Sequence, residues 1–164
     1  MALKLHNKRW FPVIWLIGSF VVFVAWLLFR SEHRPEVLLS GLGAFAGFTY
    51  FLYRQHLDET RLFKDLFAEF NARYDKVKDD LNRIRFGPRE GDLSEAEREL
   101  LFGYFNLCSE EHLFYKAGYI DENVWRSWRK GMDLFFKHPR VARLWEKERQ
   151  TDSYYGFFID IDGV

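Results

Sequence analysis

The sequence predicts an all-α protein in which an N-terminal transmembrane hairpin of two helices precedes a cytoplasmic bundle of about four helices. Two uncharged apolar runs, residues 10–29 and 37–53, stand near the start of the chain. Downstream of them, helical spacing of apolar residues recurs between capping and helix-ending signals. We therefore divide the chain into a basic N-terminus (1–9), the hairpin (10–53) and a cytoplasmic domain (54–164).

The first apolar run, Trp10–Phe29, is twenty residues long and carries no charge. At about 1.5 Å per residue, a helix of this length covers about 30 Å, which is the thickness of the hydrocarbon core of a bilayer. The alternative is a cleavable signal peptide. However, the run is longer than a signal h-region, and Phe29-Arg30-Ser31 is a poor cleavage site. We therefore expect a retained membrane helix.

The second apolar run, Val37–Tyr53, has seventeen uncharged residues, at the short end of the spanning range. The alternative is a buried core helix. Gly43 and Gly47 favour a membrane helix, because small residues four positions apart allow another helix to approach closely. These two glycines are therefore candidates for helix packing and for contact with a second copy of the chain.

Basic residues favour an orientation with both termini in the cytoplasm, because lysine and arginine accumulate on the cytoplasmic side of membrane helices. Six basic residues flank the outer ends of the hairpin and two lie in its loop: Lys4, Lys8, Arg9, Arg54, Arg61 and Lys64 against Arg30 and Arg34. Trp15 and Tyr53 lie at the ends that an antiparallel hairpin would bring to one interface, where amphipathic rings are enriched.

The formal net charge of the chain is zero, but this total hides a split. Residues 1–53 carry five basic and two acidic side chains, whereas residues 54–164 carry nineteen and twenty-two. The mildly acidic second part lacks the concentrated basic face of a nucleic-acid-binding protein. The single cysteine, Cys108, excludes an intramolecular disulfide and suits a reducing cytoplasm.

Residues 56–84 predict one long helix, since they contain neither proline nor glycine. Apolar residues follow a four-three spacing that places them on one stripe: Phe63, Phe67, Phe70, Tyr74, Val77, Leu81 and Ile84. Phe63 and Phe70 are our candidate interaction residues on it. The stripe fits a coiled-coil dimer stalk or a helix packed on its own domain. Because only about three heptads are present, we favour the second.

Three further helices are predicted after the glycine- and proline-containing loop at residues 86–92. Ser94 and Glu97 form a capping box, so a central helix should run to about Lys116 and end with Gly118 in a left-handed conformation. Asp121 is then the N-cap of a helix at about Glu122–Lys137.

Trp125 and Trp128 lie on the core stripe of that helix and are candidate interaction residues. Pro139 is suited to the first turn of a short last helix. The aromatic tail, Thr151–Val164, should pack back on the helices, because so much apolar surface is rarely left in water.

The sequence offers only weak candidates for chemistry. Cys108 and His112 are four residues apart on one helix, but two ligands do not make a metal site. Asp160-x-Asp162-Gly163 resembles the start of a calcium loop and ends before a closing glutamate. We therefore predict no metal, no cofactor and no catalytic residue. The alternative is an enzyme with an unrecognised site that uses Glu110, Glu111 or His112.

Three stretches carry a resemblance to a known family: Tyr104–Glu111, Tyr115–Trp125, and Trp128 with Gly131-Met132. Over roughly residues 60–158 the chain resembles bacterial membrane-anchored helical domains of unknown function, some of whose relatives are labelled phage abortive infection proteins. The resemblance implies a bacterial origin and an all-α fold. It carries over no catalytic residues.

From these features we expect a multi-pass protein of the bacterial inner membrane that acts as a tethered binding or scaffolding module. The expected partners are the lipid bilayer, a second copy of the chain and an unidentified protein, with no nucleic acid. One alternative is a membrane-acting effector of a stress or phage-defence response, and the other is the enzyme.

Overall fold

The computed structural model describes residues 10–28 and 35–159. These residues form five α-helices and a short 3-10 turn, with no strand among them: α1 Trp10–Leu28, α2 Pro35–Phe86, α3 Glu95–Lys116, α4 Glu122–Phe136, α5 Pro139–Glu148 and the turn Arg149–Thr151. The predicted all-α class is confirmed. The basic N-terminus, the charged loop and the Asp160–Gly163 stretch lie outside the described residues.

The second apolar run and the long aromatic stripe belong to one helix, α2, of 52 residues. No proline or glycine lies between Gly47 and Gly87, so nothing in the sequence interrupts it. The chain divides into two compact units, residues 1–60 and 61–164, and α2 contributes to both. The predicted boundary at residues 53 and 54 falls within this helix.

The first unit contains α1 and the first half of α2, and none of its described side chains is buried. A methyl group on Gly18 would overlap the ring of Phe45, and one on Gly41 would lie 3.2 Å from a methyl group of Val22. Gly18 precedes Val22 in α1, whereas its partner Phe45 follows Gly41 in α2. The two helices therefore touch in antiparallel order at these positions.

The second unit has a dense aromatic core to which every helix from α2 onward contributes. Leu66, Phe70, Leu81 and Ile84 are the buried residues of α2. Phe105 of α3 lies 5.2 Å from Phe136 and 5.0 Å from Trp145, measured between ring centroids. The stripe of α2 thus packs within its own domain, as we favoured over a coiled-coil stalk.

The predicted helix ends of the second unit are confirmed. The Ser94 hydroxyl accepts from the Glu97 N–H while the Glu97 carboxylate accepts from the Ser94 N–H, which completes the capping box. Asp121 caps α4, and Pro139 occupies the first turn of α5. Gly118 has a φ of 84°, the left-handed conformation that glycine adopts without steric cost.

The described part of the aromatic tail packs on the helices, as expected. Tyr154, Phe157 and Ile159 are buried. The Phe157 ring lies 5.7 Å from Trp145, and Arg129 of α4 donates a hydrogen bond to the Phe158 carbonyl oxygen. The tail therefore completes the core of the second unit.

Candidate functional site

A cavity of about 170 Å³ lies between α2, α3 and α4 in the second unit. We call it the Glu111 cavity. It is partly open to solvent, and its walls consist of Asn71 and Tyr74 from α2, Tyr104 and Glu111 from α3, and Ser127, Trp128, Gly131 and Met132 from α4. Its volume is close to that of an engineered cavity of ~150 Å³ that holds a benzene molecule.

Glu111 reaches this cavity because it continues the buried face of α3. Tyr104, Cys108 and Glu111 follow a four-three spacing, which places them one above another on the same side of a helix. The first two are buried in the core, and only 6% of Glu111 is exposed. A carboxyl group therefore stands at the end of an otherwise apolar stripe.

No hydrogen bond or ion pair among residues 10–28 and 35–159 includes the Glu111 carboxyl. Burial raises the pKa of Glu111 to about 8, with Arg73 opposing this rise and Glu110 adding to it. The side chain is accordingly a neutral acid at pH 7 that ionises just above that pH.

Arg73 of α2 is the cation that lowers the pKa of Glu111, and it is engaged elsewhere. Its guanidinium forms an ion pair with the neighbouring Glu110 carboxylate. This side-chain hydrogen bond raises the pKa of Arg73 further. Since Glu110 neutralises Arg73, Glu111 lacks an ion-pair partner of its own.

Aromatic rings form much of the cavity wall. The Tyr74 and Tyr104 ring centroids lie 6.5 Å apart, and Trp128 packs edge-to-face on Phe70 at 5.9 Å. Burial raises the pKa of Tyr104 well above its usual value, so its phenol stays neutral. The cavity thus combines one acid with the side chains of two tyrosines and a tryptophan.

Gly131, Asn71 and Ser127 form the remaining features of the cavity wall. Gly131 lies inside α4, and a methyl group added there would meet no atom within 4 Å. The Asn71 amide donates to the Phe67 carbonyl oxygen at 2.6 Å, which leaves the amide oxygen as the group that can accept a hydrogen bond. Ser127 adds a hydroxyl to the lining.

The predicted interaction residues lie in different settings. Methyl groups on Gly43 or Gly47 would meet no atom within 4 Å, so this chain alone leaves space at both. Phe63 is partly exposed and packs against Phe67. Phe70 is buried, 2% exposed, and Trp128 lines the Glu111 cavity.

Trp125, the remaining predicted interaction residue, is partly buried within its own domain. Its ring stacks on Tyr115 at 5.1 Å and meets the Phe157 ring at 6.4 Å. These contacts make Trp125 part of the aromatic packing of the second unit.

Cys108 and His112 have surroundings that favour packing over metal binding. Cys108 is fully buried, and burial raises the pKa of its thiol well above the usual value. The His112 ring packs on Trp125 at 5.4 Å, and burial lowers the pKa of the imidazole. Across the described ranges, no group of three or more His, Cys, Asp or Glu residues could hold a metal ion.

The described helices include one candidate membrane span. By length and apolar composition, α2 is long enough to cross a bilayer, and no part of its apolar window is buried. Within α1, Val13–Leu27 is a shorter apolar stretch.

A scan against protein-family models, a search of curated proteins and a search of solved structures each found no match to the chain. The resemblance over residues 60–158 therefore stays a prediction.

Sequence reasoning named Glu111 among three weak candidates for chemistry and Trp128 as an interaction residue, but it did not bring the two together or identify the cavity. One signal was present, because Gly131 interrupts the core stripe of a helix in which glycine is unfavourable. A second was the acid of Glu111 in line with Tyr104 and Cys108. The walls from α2 depend on packing between helices distant in sequence, for which no local signal exists.

Proposed function

We propose that this protein is a membrane-anchored binding module, in which α1 and the first half of α2 span the bilayer and the helical second unit binds a ligand or partner. The observation that carries the proposal is the surface of the first unit. Among its described residues, fifteen large apolar side chains are exposed, including Leu16, Phe20, Leu39 and Phe51. Soluble monomers rarely expose apolar patches larger than a few hundred Å².

A hairpin of two spans accounts for this surface. The 19 residues of α1 rise about 28 Å, close to the thickness of a hydrocarbon core. The antiparallel contacts of Gly18 with Phe45 and of Val22 with Gly41 support pairing of the two spans. In lipid, close packing around small residues of this kind drives helix association.

The second unit supports the binding part of the proposal. The cavity holds convergent polar groups, including a buried acid with a raised pKa, within an aromatic lining. A concave, mainly apolar pocket with a few polar groups is the usual form of a small-molecule site. The cytoplasmic location follows from the positive charges that flank the predicted spans.

Membrane fractionation tests the anchor. The intact protein should sediment with membranes, resist alkaline carbonate and require detergent for release. Reporter fusions after Gly163 should be active in the cytoplasm, and insertions between Ser31 and Glu36 should be active on the far side. Recovery of the intact chain in a detergent-free soluble fraction would refute the anchor.

Crosslinking in native membranes tests the predicted homo-oligomer. The Gly43→Leu variant should lose crosslinked species if a second copy packs on the open face at that glycine. Phe48→Leu, a change between large apolar residues on the same exposed helix, is the matched control. Unchanged crosslinking of Gly43→Leu would remove this glycine from the interface.

A further inference from the structure

We infer that the Glu111 cavity is a binding site for a small organic ammonium ion. The inference rests on the proposed binding role and names its ligand class, but it does not depend on the membrane anchor. Three observations carry it: an unpartnered acid that is 94% buried, neutral aromatic walls, and space for about seven heavy atoms.

The acid supplies the first requirement of a cation site. Among the described residues, no hydrogen bond or ion pair includes the Glu111 carboxyl, and Arg73 is already paired with Glu110. A buried polar group without a partner is costly, so such groups in folded proteins usually serve a ligand, a water or a function. An entering ammonium ion would supply the missing opposite charge, and Glu111 would release its proton to solvent.

The aromatic walls supply the second requirement. A cation held over an aromatic face is attracted by the ring quadrupole, and cages of several rings recognise quaternary ammonium groups in this way. Tyr74, Tyr104 and Trp128 line the cavity together with Glu111. Tyr104 remains neutral, so its phenol supplies no second negative charge. A metal ion would need further negative ligands, whereas an organic cation does not.

The remaining polar atoms narrow the ligand class. The Asn71 amide oxygen and the Ser127 hydroxyl can accept hydrogen bonds from a hydroxyl or N–H group on the ligand. A single carboxylate is too few ligands for a tightly bound metal ion, which takes several oxygen ligands at once. A compact ammonium ion carrying one hydroxyl, such as choline, fits the charge, the size and these acceptors.

The glycine in α4 supports a site rather than a packing defect. Glycine inside a helix is unfavourable relative to alanine. A methyl group at Gly131 would meet no atom within 4 Å, and Gly131 lines the same cavity as Glu111. A glycine at this position of the wall therefore leaves space that a larger side chain would take up.

Calorimetric titration of the full-length protein with choline tests the inference, using nanodiscs of phosphatidylglycerol, which carries no amine. Choline should bind, whereas its uncharged carbon isostere, dimethylbutanol, should bind at least about tenfold more weakly. The Glu111→Gln variant should lose the preference for choline. The Glu99→Gln variant, which removes an exposed carboxylate from the same helix, should bind as the unmodified protein does.

A second variant keeps the test independent of any folding effect at Glu111. Gly131→Leu places a side chain in the cavity and should abolish choline binding, with an unchanged helical circular dichroism spectrum. Equal binding of choline and its isostere, absence of binding, or unchanged choline binding by Glu111→Gln would each overturn the inference. Membrane fractionation is unaffected by these outcomes, so the anchor fails or stands separately.

The pH dependence gives a readout that a structural role would not produce, because choline itself does not titrate. Its dissociation constant should fall about tenfold from pH 6 to pH 7 and change about twofold from pH 8 to pH 9, following ionisation of Glu111. Tyr74, Tyr104 and Cys108 stay neutral over this range and Arg73 stays charged, because the pKa of each is raised. Burial raises the pKa of Tyr74 and Cys108, Glu110 raises that of Arg73, and burial lowers that of His112. A flat profile would contradict the inference.

An ammonium group can belong to a free ion or to a lipid headgroup, and the same experiment distinguishes these two sources. If the headgroup is the natural ligand, free choline should bind more weakly in nanodiscs of phosphatidylcholine than in nanodiscs of phosphatidylglycerol. Equal affinity in the two lipids assigns the site to a free ion.

Discussion

Arg140 of α5 joins Glu97 of α3 to the loop before it through a buried guanidinium. Its Nη2 atom donates to the Glu97 carboxylate at 2.7 Å and to the Asp92 carbonyl oxygen at 2.8 Å. The same carboxylate accepts from the Ser94 N–H in the capping box. Partial burial opposes ionisation of Glu97, but these hydrogen bonds prevail and lower its pKa. One carboxylate thus fixes both the start of α3 and the position of α5.

Replacing Arg140 should destabilise the second unit. Arg140→Met keeps the apolar stem but removes both hydrogen bonds and leaves Glu97 without its cation, so we expect a loss of about 1.5–3 kcal/mol in the free energy of unfolding. Arg143→Met is the control, because Arg143 donates to the Gly91 carbonyl oxygen of the same loop from an exposed position. It should cost less than about 0.5 kcal/mol. Urea unfolding followed by tryptophan fluorescence measures both, and equal losses would contradict the role given to burial.

Glu111 should make stability depend on pH in an unusual direction. Its pKa rises from 4.5 to about 8 in the folded protein. Below pH 4.5 both states are protonated, and between 4.5 and 8 only the unfolded state ionises. Stability therefore falls with rising pH in this window, by up to about 1.4 kcal/mol per pH unit.

The Glu111→Gln variant tests this pH dependence, because it removes the ionisable group while keeping a similar shape. The variant should gain stability relative to the unmodified protein as the pH rises from 5 to 8. Thermal unfolding at several pH values, without added amines, provides the measurement. A difference that stays constant across these pH values would show that the pKa is not raised.

Two glycines should respond to alanine in opposite ways. Gly131 has helical surroundings and open space, so Gly131→Ala should stabilise the domain by about 0.5–1 kcal/mol through higher helix propensity. Gly118 has a φ of 84°, a conformation that strains a residue with a side chain. Gly118→Ala should therefore destabilise the domain by about 1 kcal/mol or more. Chemical denaturation of both variants gives the signs, and the same sign for both would be the wrong result.

Adjacent phenylalanines in the tail should differ sharply. Phe157 is buried against Trp145, Phe136 and His112, whereas Phe158 is 54% exposed. Phe157→Ala should cost about 3–5 kcal/mol because it leaves a cavity in the core. Phe158→Ala should cost less than about 1 kcal/mol. Similar melting temperatures for the two variants would mean that the tail does not complete the core.

The helix ends were predictable from the sequence because their signals are local. Ser94 with Glu97, Asp121 and Pro139 each satisfy or remove backbone groups within a few residues, and the structure uses all of them. The buried stripe of α2 was also predictable, since the spacing of apolar residues that predicts it lies within one segment of the chain. The sequence does not decide whether the second apolar run continues into this stripe, because the absence of a breaker permits a continuous helix without requiring one.

The cavity was not predictable, because it depends on the distances between three helices. Asn71, Tyr104 and Ser127 come from parts of the chain that are far apart and carry no shared motif. The ion pair between Arg73 of α2 and Glu110 of α3 is likewise a contact between helices, for which the sequence has no local signal. It decides that Glu111, rather than its neighbour, is the acid left without a cation.

The buried thiol of Cys108 can report how often the second unit unfolds. It is the only thiol of the chain, and in the folded domain it is enclosed by the core and held in its unreactive form. A thiol-alkylating reagent added to living cells would therefore label molecules only while they are open. The rate of labelling would report how often the domain unfolds in its natural setting, without a tag or an engineered residue.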